Sequence, residues 1–518
     1  MSLLQPPAPA PSTAGGLREP DAGGLLTPSA ATRLFQAFLV LHVAVWTLVP
    51  ALTHPNLPLD VIEGLAWGRE WQFGYLKHPP LSAWLMELAA RLGGGADWPL
   101  YLLSQVAIAV AFWAVWRLSR ELFTPARALL AVLLLEAVYF HNFTSPEFNA
   151  NVVMLPFWAL TVLALRRALE TGSPAAWAAA GLAAGLGFLG KYFFATLLVP
   201  AALLLLAVPG YRAQLLRPGP YVGLLVFLAV LAPHLAWLVA NDFPTFGYAM
   251  ARGGGGETGW ADHVVNPLSF LGEAAGVALP ALVLVLLLGR PRPRSAGRAD
   301  VFLLAVGIGP VATTALISAL FGFELRSMWS TPLFLLLGPM LVAWLAPDPT
   351  RAGLRRFAAG WSVLFVFAAL AYVAMMVAGP YVTDRGKRGH FPGEPLALAI
   401  SSAWEERHGA PLPVVVGDEW LAGTVAWYAP SRPSTYIAAD PRFAPWLDDA
   451  AVARSGAILV WGGGRRGEPA GPLSASPFAG LADRFPGIEE QPPLTVPWST
   501  GADLPPVEVG WAIVPPKP

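Results

Sequence analysis

The stretch LFQAFLVLHVAVWTLVPAL, Leu34–Leu52, decides the fold class of this chain. It carries no Asp, Glu, Lys or Arg. At about 1.5 Å of rise per residue, a helix of this length crosses a hydrocarbon core of about 30 Å. Similar apolar runs recur along the sequence. Because helices are the usual structures that satisfy the backbone inside a bilayer, these runs predict an all-α polytopic membrane bundle.

The composition agrees with a membrane protein. The 518 residues are 55% hydrophobic and 13% charged, and the mean hydropathy is +0.54. The formal net charge is zero, so the overall charge gives no indication of a nucleic-acid partner. The chain has no cysteine. This excludes disulfides, thiolate metal sites and cysteine nucleophiles.

The apolar runs predict about eleven transmembrane spans. They cover residues 34–52, 98–116, 127–141, 149–166, 175–190, 192–208, 219–239, 267–289, 300–321, 328–346 and 357–378. We therefore assign residues 33–380 to a transmembrane domain. Residues 1–32 are rich in Pro, Ala, Gly and Ser and predict a disordered cytoplasmic tail. No cleavable signal peptide is evident, so we expect the first run to remain as an anchor.

The composition changes after residue 380. Residues 413–437 show the pattern of a strand, a helix and a second strand, and residues 456–464 show another strand that ends in a turn. These patterns predict a small extracytoplasmic α/β domain over residues 381–518.

The distribution of Lys and Arg predicts the orientation in the membrane. With the N-terminus in the cytoplasm, sixteen of these residues up to residue 378 fall on the inner side and six on the outer side. Because basic residues are retained on the cytoplasmic side, this orientation is favoured. An odd number of spans then places residues 381–518 outside.

The first outer loop contains two carboxylates, Asp60 and Glu63, that share a face if the segment is helical. They could act as a base, bind a cation or simply be solvated. Four nearby aromatic residues indicate a loop at the membrane interface, namely Trp67, Trp71, Phe73 and Tyr75. A carboxylate held there is partly desolvated, which raises its pKa and makes it a better proton acceptor.

The same loop continues into GYLKHPPLSAWL, Gly74–Leu85. The two prolines favour an extended turn before a new helix, and this turn carries Lys77 and His78 back to the bilayer. Lys77 is then either an interfacial lysine whose stem lies along apolar groups or a cation of a binding site.

Other charged residues lie at the predicted outer ends of spans. Glu147 is either a helix-capping acid or a second carboxylate that faces Asp60. Lys191, followed by Tyr192, separates two short apolar runs, a costly position unless the lysine reaches the surface or an anion. Arg326 raises the same question, and Arg252 precedes four glycines that could close over a ligand. Each of these cations could also be an ordinary interfacial or solvated charge.

Carboxylates and cations on one side of the membrane suit a lipid-linked phosphate as substrate. The cations would bind the phosphate and stabilise the charge that develops on it, and a carboxylate would take the proton of an attacking hydroxyl. No phosphate-cradling G-x-x-x-x-G-K-S/T motif occurs, and no G-x-G-x-x-G follows a strand. This disfavours the use of ATP or of a nucleotide sugar.

Several motifs in fixed order resemble glycosyltransferase family 39 of the GT-C superfamily, which contains protein O-mannosyltransferases and lipid A aminoarabinose transferases. Asp60 is followed after fourteen residues by Gly-Tyr and then by His-Pro-Pro-Leu. SPEF lies near LPFWAL, and GLAAGLGFLGKYFF ends a glycine-rich span in Lys-Tyr. The resemblance covers about residues 34–340.

The resemblance implies roles for individual residues. Asp60 occupies the position of the presumed catalytic base, and Glu147 stands where the family usually has Asp. Lys191 matches the lysine near the donor phosphate, whereas Arg326 and Trp329 match the later outer loop only loosely. The family often has Asp-Glu in the first loop, but this chain has Val after Asp60.

The resemblance also implies the activity, which is inverting transfer of a sugar from a polyprenyl phosphate to a glycan, lipid or protein acceptor. Similar bacterial proteins act on lipopolysaccharide at the inner membrane, with a periplasmic active site. The candidate donor-phosphate ligands are Lys77, His78, Lys191, Tyr192 and Arg326, the catalytic candidates are Asp60 and Glu147, and the auxiliary candidates are Glu63 and Arg252.

Two other functions stay open at this point, a transporter or flippase of lipid-linked sugars and a non-catalytic envelope scaffold. No cofactor is predicted. The need for a divalent cation is left open, with Glu63 and His141 as conceivable ligands whose spacing is not diagnostic. Membrane lipids are the other expected partners, and no nucleic acid is expected.

Overall fold

A computed structural model describes residues 25–248, 259–292, 298–462 and 469–517. It consists of a helical bundle up to Val377 and a small C-terminal domain that contains a β-sheet. Most of the predicted N-terminal tail lies outside the described residues. The fold class predicted from the apolar runs, an all-α membrane bundle with a small C-terminal α/β domain, is confirmed.

The bundle is built from fifteen described α-helices and several shorter turns. The helices are α1 (Pro28–Thr53), α2 (Leu59–Gly68), α3 (Leu81–Leu92), α4 (Trp98–Leu122), α5 (Pro125–Leu133), α6 (Ala150–Thr171), α7 (Pro174–Gly190), α8 (Ala195–Ala207), α9 (Pro209–Arg212), α10 (Gly219–Ala240), α11 (Asp262–Leu288), α12 (Arg298–Leu303), α13 (Gly309–Phe321), α14 (Leu337–Trp344) and α15 (Arg351–Val377). The 3-10 turns are Leu134–Ala137, Tyr139–His141, Tyr192–Phe194, Ala213–Leu216 and Ser327–Phe334, and Leu304–Ile308 forms a π-turn.

The structure does not confirm the number of spans that the sequence predicts, about eleven. Among the described residues, seven helices are long and apolar enough to cross a membrane, or nine if each of two bent pairs counts as one span. The bent pairs are Tyr192–Ala207 with Pro209–Leu216, and Ser327–Phe334 with Leu337–Trp344. Pro174–Gly190 is apolar but shorter. The prediction of about eleven spans is therefore not confirmed.

The predicted span over residues 127–141 is not one continuous helix. Its α-helix ends at Leu133, and two 3-10 turns follow. Glu136 lies in the first turn, fully buried, where its carboxylate contacts His42 Nδ1 at 2.8 Å and accepts a hydrogen bond from Trp46 Nε1 at 3.3 Å. A carboxylate inside an apolar bundle requires such partners.

The C-terminal domain carries a five-stranded mixed sheet. Its elements are α16 (Gly379–Thr383), α17 (Gly393–His408), β1 (Val414–Gly417), α18 (Leu421–Tyr428), β2 (Ser434–Ile437), α19 (Asp449–Ser455), β3 (Ala457–Gly462), α20 (Leu481–Arg484), β4 (Glu489–Val496) and β5 (Val507–Val514), with 3-10 turns at Arg388–His390 and Leu473–Ala475. The strand order is β2-β1-β3-β5-β4. β1 pairs in parallel with β2 and β3, and β5 pairs antiparallel with β3 and β4.

The C-terminal domain packs on the end of the bundle where α1 ends and α4 begins. Asp97, just before α4, accepts hydrogen bonds from Trp427 Nε1 and from the Tyr428 hydroxyl, each at 2.8 Å. Glu87 of α3 forms an ion pair with Arg432 at 3.0 Å and is 2% exposed. These polar contacts hold α18 and the following loop against the bundle.

We expect Asp97→Ala to weaken this packing. The substitution leaves two largely buried donors without their acceptor, which costs about 2 kcal/mol in the free energy of unfolding. Thermal unfolding in detergent and the rate of proteolysis of the C-terminal domain measure the effect. The exposed Asp503→Ala is the control, and equal melting temperatures for the two variants would contradict this account of the interface.

Candidate active site

Helix α2 brings the two acids of the first loop to one cavity. Asp60 lies in its first turn and Glu63 one turn later, and both line the same space, as their spacing predicts. The helix lies close to α3 because Gly68 has no side chain. A Cβ atom at Gly68 would fall 2.2 Å from the Ala83 carbonyl oxygen. This close approach seats α2 in the bundle instead of on its surface.

Asp60 lies beside the second predicted acid. Its backbone N–H donates to Glu147 Oε1 at 3.0 Å. The helix-capping role that Glu147 might have filled belongs to Asn149, whose Oδ1 accepts from the N–H groups of Asn151 and Val152 at 2.9 and 3.2 Å. Asn149 also hydrogen-bonds through its side chain to Asp60. Glu147 is therefore a second carboxylate facing Asp60, and Asn149 connects the cap of α6 to the site.

Burial shifts both acids toward their neutral forms. It raises the pKa of Asp60, although Lys191 and Lys77 oppose the shift. Burial together with the negative charge of Asp60 raises the pKa of Glu147 to about 7. A carboxylate with a raised pKa accepts a proton more readily near neutral pH, which suits a general base.

Lys77 extends from the turn before α3 to two carboxylates. Its ammonium donates to Glu63 Oε1 at 2.6 Å and to Glu419 Oε1 at 3.0 Å. These two partners raise the pKa of Lys77, whereas burial raises the pKa of Glu63 to about 7. His78 also lines the cavity, and burial beside Lys191 and Lys77 lowers the pKa of its imidazole to about 3. The lowered pKa favours the neutral form of the His78 imidazole.

Lys191 occupies the break between α7 and the following 3-10 turn. Its backbone is extended (φ −165°, ψ 139°), so α7 ends at Gly190. The ammonium donates to Asn151 Oδ1 at 2.7 Å and lies 5.1 Å from the centroid of the Trp329 ring. Burial lowers the pKa of Lys191 to about 7, with the charge of Asp60 opposing the shift.

These groups surround one cavity of about 640 Å³. Four cationic and four acidic side chains line it. The cationic residues are Lys77, Lys191, Arg326 and Arg388, and the acidic residues are Asp60, Glu63, Glu147 and Glu419. Carboxylates beside cations in a partly enclosed space provide both a proton acceptor and counter-charges for an anion.

A second cavity of about 290 Å³ adjoins the first. The two share four residues in their linings, Leu59, Thr144, Glu147 and Arg388. The second cavity is also lined by His54 and Lys387, and the imidazole of His54 contacts the hydroxyl of Tyr372 at 3.1 Å. Glu147 thus stands between two spaces, which allows two ligands to meet beside it.

Some predicted site residues lie elsewhere. Tyr192 does not line the main cavity. Its hydroxyl is held 2.6 Å from His234 Nε2 of α10 and 3.1 Å from Thr245 Oγ1 in the segment after α10. Arg252 and the glycines after it lie outside the described residues. His141 contacts the Leu135 carbonyl oxygen inside the bundle and is not part of the cavity wall, so it does not join Glu63.

The first outer loop agrees only in part with the expectation that its aromatic residues lie at the membrane interface. Trp71 and Phe73 are exposed, in agreement with an interface, but Trp67 and Tyr75 are buried and their rings stack at 5.2 Å. Within the described ranges, no group of three or more His, Asp or Glu side chains is arranged to hold a metal ion.

Four residues of this site were not predicted from the sequence. Asn149 and Asn151 had a signal, since they are polar residues at the start of a span directly after Glu147. Arg388 and Glu419 had none, because they belong to the C-terminal domain and reach the cavity only through the fold.

The chain is similar in sequence to known glycosyltransferases. The family described as dolichyl-phosphate-mannose-protein mannosyltransferase matches residues 77–237. The lipopolysaccharide core galacturonosyltransferase RgtA of Rhizobium johnstonii is 25% identical over 504 residues, which cover 93% of this chain and 97% of that protein. An undecaprenyl phosphate-alpha-4-amino-4-deoxy-L-arabinose arabinosyl transferase of Pseudomonas aeruginosa is 33% identical over 173 residues, or 32% of this chain and 31% of that protein.

A solved structure shares the fold. The crystal structure of ArnT from Cupriavidus metallidurans bound to undecaprenyl phosphate superposes with a TM-score of 0.57 at 16% identity, covering 93% of this chain and 97% of that one. On these matches, the chain is a multi-pass membrane glycosyltransferase that shares the fold of ArnT, is similar to RgtA over most of its length and resembles glycosyltransferase family 39.

Proposed function

We propose that this enzyme transfers a sugar, with inversion, from a polyprenyl-phosphate donor, such as an undecaprenyl-phosphate sugar, to a lipopolysaccharide or related envelope acceptor. The observation that carries the proposal is the cavity in which Asp60 and Glu147 lie with Lys77 and Lys191. The names of two relatives support the proposal. RgtA is named a lipopolysaccharide core galacturonosyltransferase, and the Pseudomonas aeruginosa protein is named for an undecaprenyl phosphate sugar.

In this proposal the cavity opens on the periplasmic side of the membrane, and the reaction takes place there. The cavity and the C-terminal domain lie at the same end of the bundle, because Arg388 and Glu419 of that domain line the cavity. Basic residues collect at the opposite end, where Arg166 and Arg167 pair with Glu121. The excess of basic residues on the cytoplasmic side favours this orientation. The proposal keeps residues 33–380 as the membrane domain, 381–518 as an extracytoplasmic domain and 1–32 as a cytoplasmic tail.

Asp60 is the general base of the proposed reaction. An acceptor hydroxyl attacks the anomeric carbon of the donor, the bond from that carbon to the phosphate oxygen breaks, and the hydroxyl proton passes to Asp60. The polyprenyl phosphate that leaves gains negative charge. Lys191, Lys77 and Arg326 are placed on the cavity wall where they stabilise that charge.

The acceptor enters through the second cavity in this proposal. That cavity meets the first at Glu147, so an acceptor held there presents its hydroxyl beside Asp60. Glu147 orients the acceptor or the sugar by accepting hydrogen bonds. Lys387 and Arg388 line the second cavity and provide positive charge for an anionic acceptor such as a phosphorylated glycolipid.

We expect the pH dependence of kcat/KM for the donor to reflect the loss of the proton from the Lys191 ammonium. This lysine faces Asp60, Asn151 and the ring of Trp329, and it requires its proton to bind the phosphate. Because the pKa of Lys191 is lowered to about 7, kcat/KM should fall as the pH rises above about 7.

At low pH, kcat/KM for the donor should fall because Asp60 becomes protonated. Asp60 must be deprotonated to act as a base, and burial raises its pKa. In Lys191→Arg the alkaline limb should move to higher pH, because a guanidinium keeps its proton. An alkaline limb at the same pH in Lys191→Arg and the wild type would contradict the assignment.

Transfer by the purified protein tests the proposed function. The protein in nanodiscs is incubated with a panel of radiolabelled undecaprenyl-phosphate sugars and with lipopolysaccharide acceptors, and the label is followed in carrier and acceptor. Label that reaches the acceptor supports the glycosyltransferase. In proteoliposomes, label that crosses the membrane while still attached to its carrier, with no transfer to any acceptor, would support the flippase instead and overturn the proposal.

A further inference from the structure

The ammonium of Lys77 is shared between two distant parts of the chain. One partner is Glu63 of α2 at 2.6 Å, and the other is Glu419 of the C-terminal domain at 3.0 Å. The Lys77 and Glu63 side chains are 16% and 10% exposed, whereas that of Glu419 is 37% exposed. The C-terminal domain therefore reaches a cation that the proposed function places at the donor phosphate.

Glu419 is held in place by its own domain. It lies between β1 and α18, where the carboxylate of Asp418 accepts the N–H of Leu421 at 2.6 Å and fixes the turn. The ring of the next residue, Trp420, packs against Phe391 with centroids 5.6 Å apart. A carboxylate on a fixed turn can define the position of a lysine at the end of a flexible four-carbon stem.

The two lysines of the cavity have different surroundings. Both ammonium groups lie over an aromatic ring, that of Trp329 at 5.1 Å for Lys191 and that of Tyr248 at 5.9 Å for Lys77. The hydrogen-bond partner of Lys191 is the neutral Asn151. The ammonium of Lys77 has three N–H donors, and the two carboxylates accept two of them. One donor is left for an incoming anion. The carboxylates thus fix the direction in which Lys77 can bind, which reduces the entropy lost when an anion arrives.

We infer that Glu419 is a positioning residue for the donor: it holds the Lys77 ammonium at the cavity wall and so brings the C-terminal domain into recognition of the carrier phosphate. This inference rests on the proposed function. It gives the C-terminal domain a part in donor binding.

A double-mutant cycle on carrier binding tests this inference. The probe is undecaprenyl phosphate itself, which carries no sugar, and its Kd is measured for the wild type, Glu419→Gln, Lys77→Met and the double variant. We expect Glu419→Gln to raise the Kd about fivefold, a modest effect because Glu419 is partly exposed to solvent. In the Lys77→Met background, Glu419→Gln should have no further effect, since it acts through the ammonium that is missing.

The experiment distinguishes failure of this inference from failure of the proposed function. Additive effects of the two substitutions, or tighter carrier binding by Glu419→Gln, would overturn the inference. Glu406→Gln, an exposed acid of the same domain, is the matched control and should leave the Kd unchanged. Glu419→Asp keeps the charge and should recover part of the binding, and it replaces Glu419→Gln in the cycle if that variant unfolds. A wild-type protein that does not bind undecaprenyl phosphate would contradict the proposed function itself.

Discussion

Asp60→Asn should lower turnover by roughly 10²–10⁴-fold while leaving the fold intact, the usual contribution of a positioned general base. The amide keeps the size of the carboxylate and its place beside Asn149. The backbone N–H that donates to Glu147 is also unchanged. The amide has no basic oxygen to take a proton, so the chemical step loses its acceptor. Steady-state turnover at saturating donor and acceptor measures the loss.

The matched control is Glu63→Gln on the same face of α2. Glu63 contacts Lys77 and takes no proton in the proposed reaction, so this variant should keep turnover within about tenfold of the wild type. The Asp60→Asn protein should melt at the same temperature as the wild type or higher, because it no longer buries a carboxylate. Near wild-type turnover of Asp60→Asn would remove Asp60 from the role of base.

Lys191→Met should lower kcat/KM for the donor by about 10- to 100-fold. Methionine keeps most of the apolar stem but removes the ammonium, which lies 5.1 Å from the centroid of the Trp329 ring, and with it the charge and the N–H groups. A charge-assisted hydrogen bond contributes about 1.5–3 kcal/mol, which corresponds to this range. The loss should appear in both kcat and KM, because the phosphate gains charge as the carrier leaves.

Lys517→Met is the control for Lys191→Met. Lys517 is exposed at the end of the C-terminal domain and lines neither cavity, so its loss should leave kcat/KM within about twofold. Unchanged donor kinetics in Lys191→Met would show that another cation of the cavity binds the phosphate.

The sequence is sufficient to predict most of the candidate site. Glu147 and Lys191 fall at the same ends of apolar runs as Asp60, and the alternation of runs places all such ends on one side of the membrane. The structure brings these three residues to one cavity. The helix cap was predictable, because Asn is a preferred N-cap residue and Glu is not, which favours Asn149 as the cap of α6 and Glu147 as the residue that faces Asp60.

Other features depend on contacts that hydropathy does not show. The count of about eleven spans is not confirmed, and one predicted span, over residues 127–141, is broken where the buried Glu136 contacts His42 among otherwise apolar residues. Tyr192 follows Lys191 directly in sequence, but its hydroxyl turns to the end of α10, since adjacent side chains leave the backbone in different directions. Glu419 is 342 residues from Lys77, a separation that no local pattern bridges.

The position of the carrier phosphate tests the central claim most directly. It can be measured by cryo-electron microscopy of the full-length protein in nanodiscs with undecaprenyl phosphate. We predict that the phosphate lies in the 640 Å³ cavity in contact with the Lys191 ammonium and on the side that faces Asp60. A phosphate bound at the opposite end of the bundle, or outside this cavity with Lys191 still held by Asn151, would contradict the account.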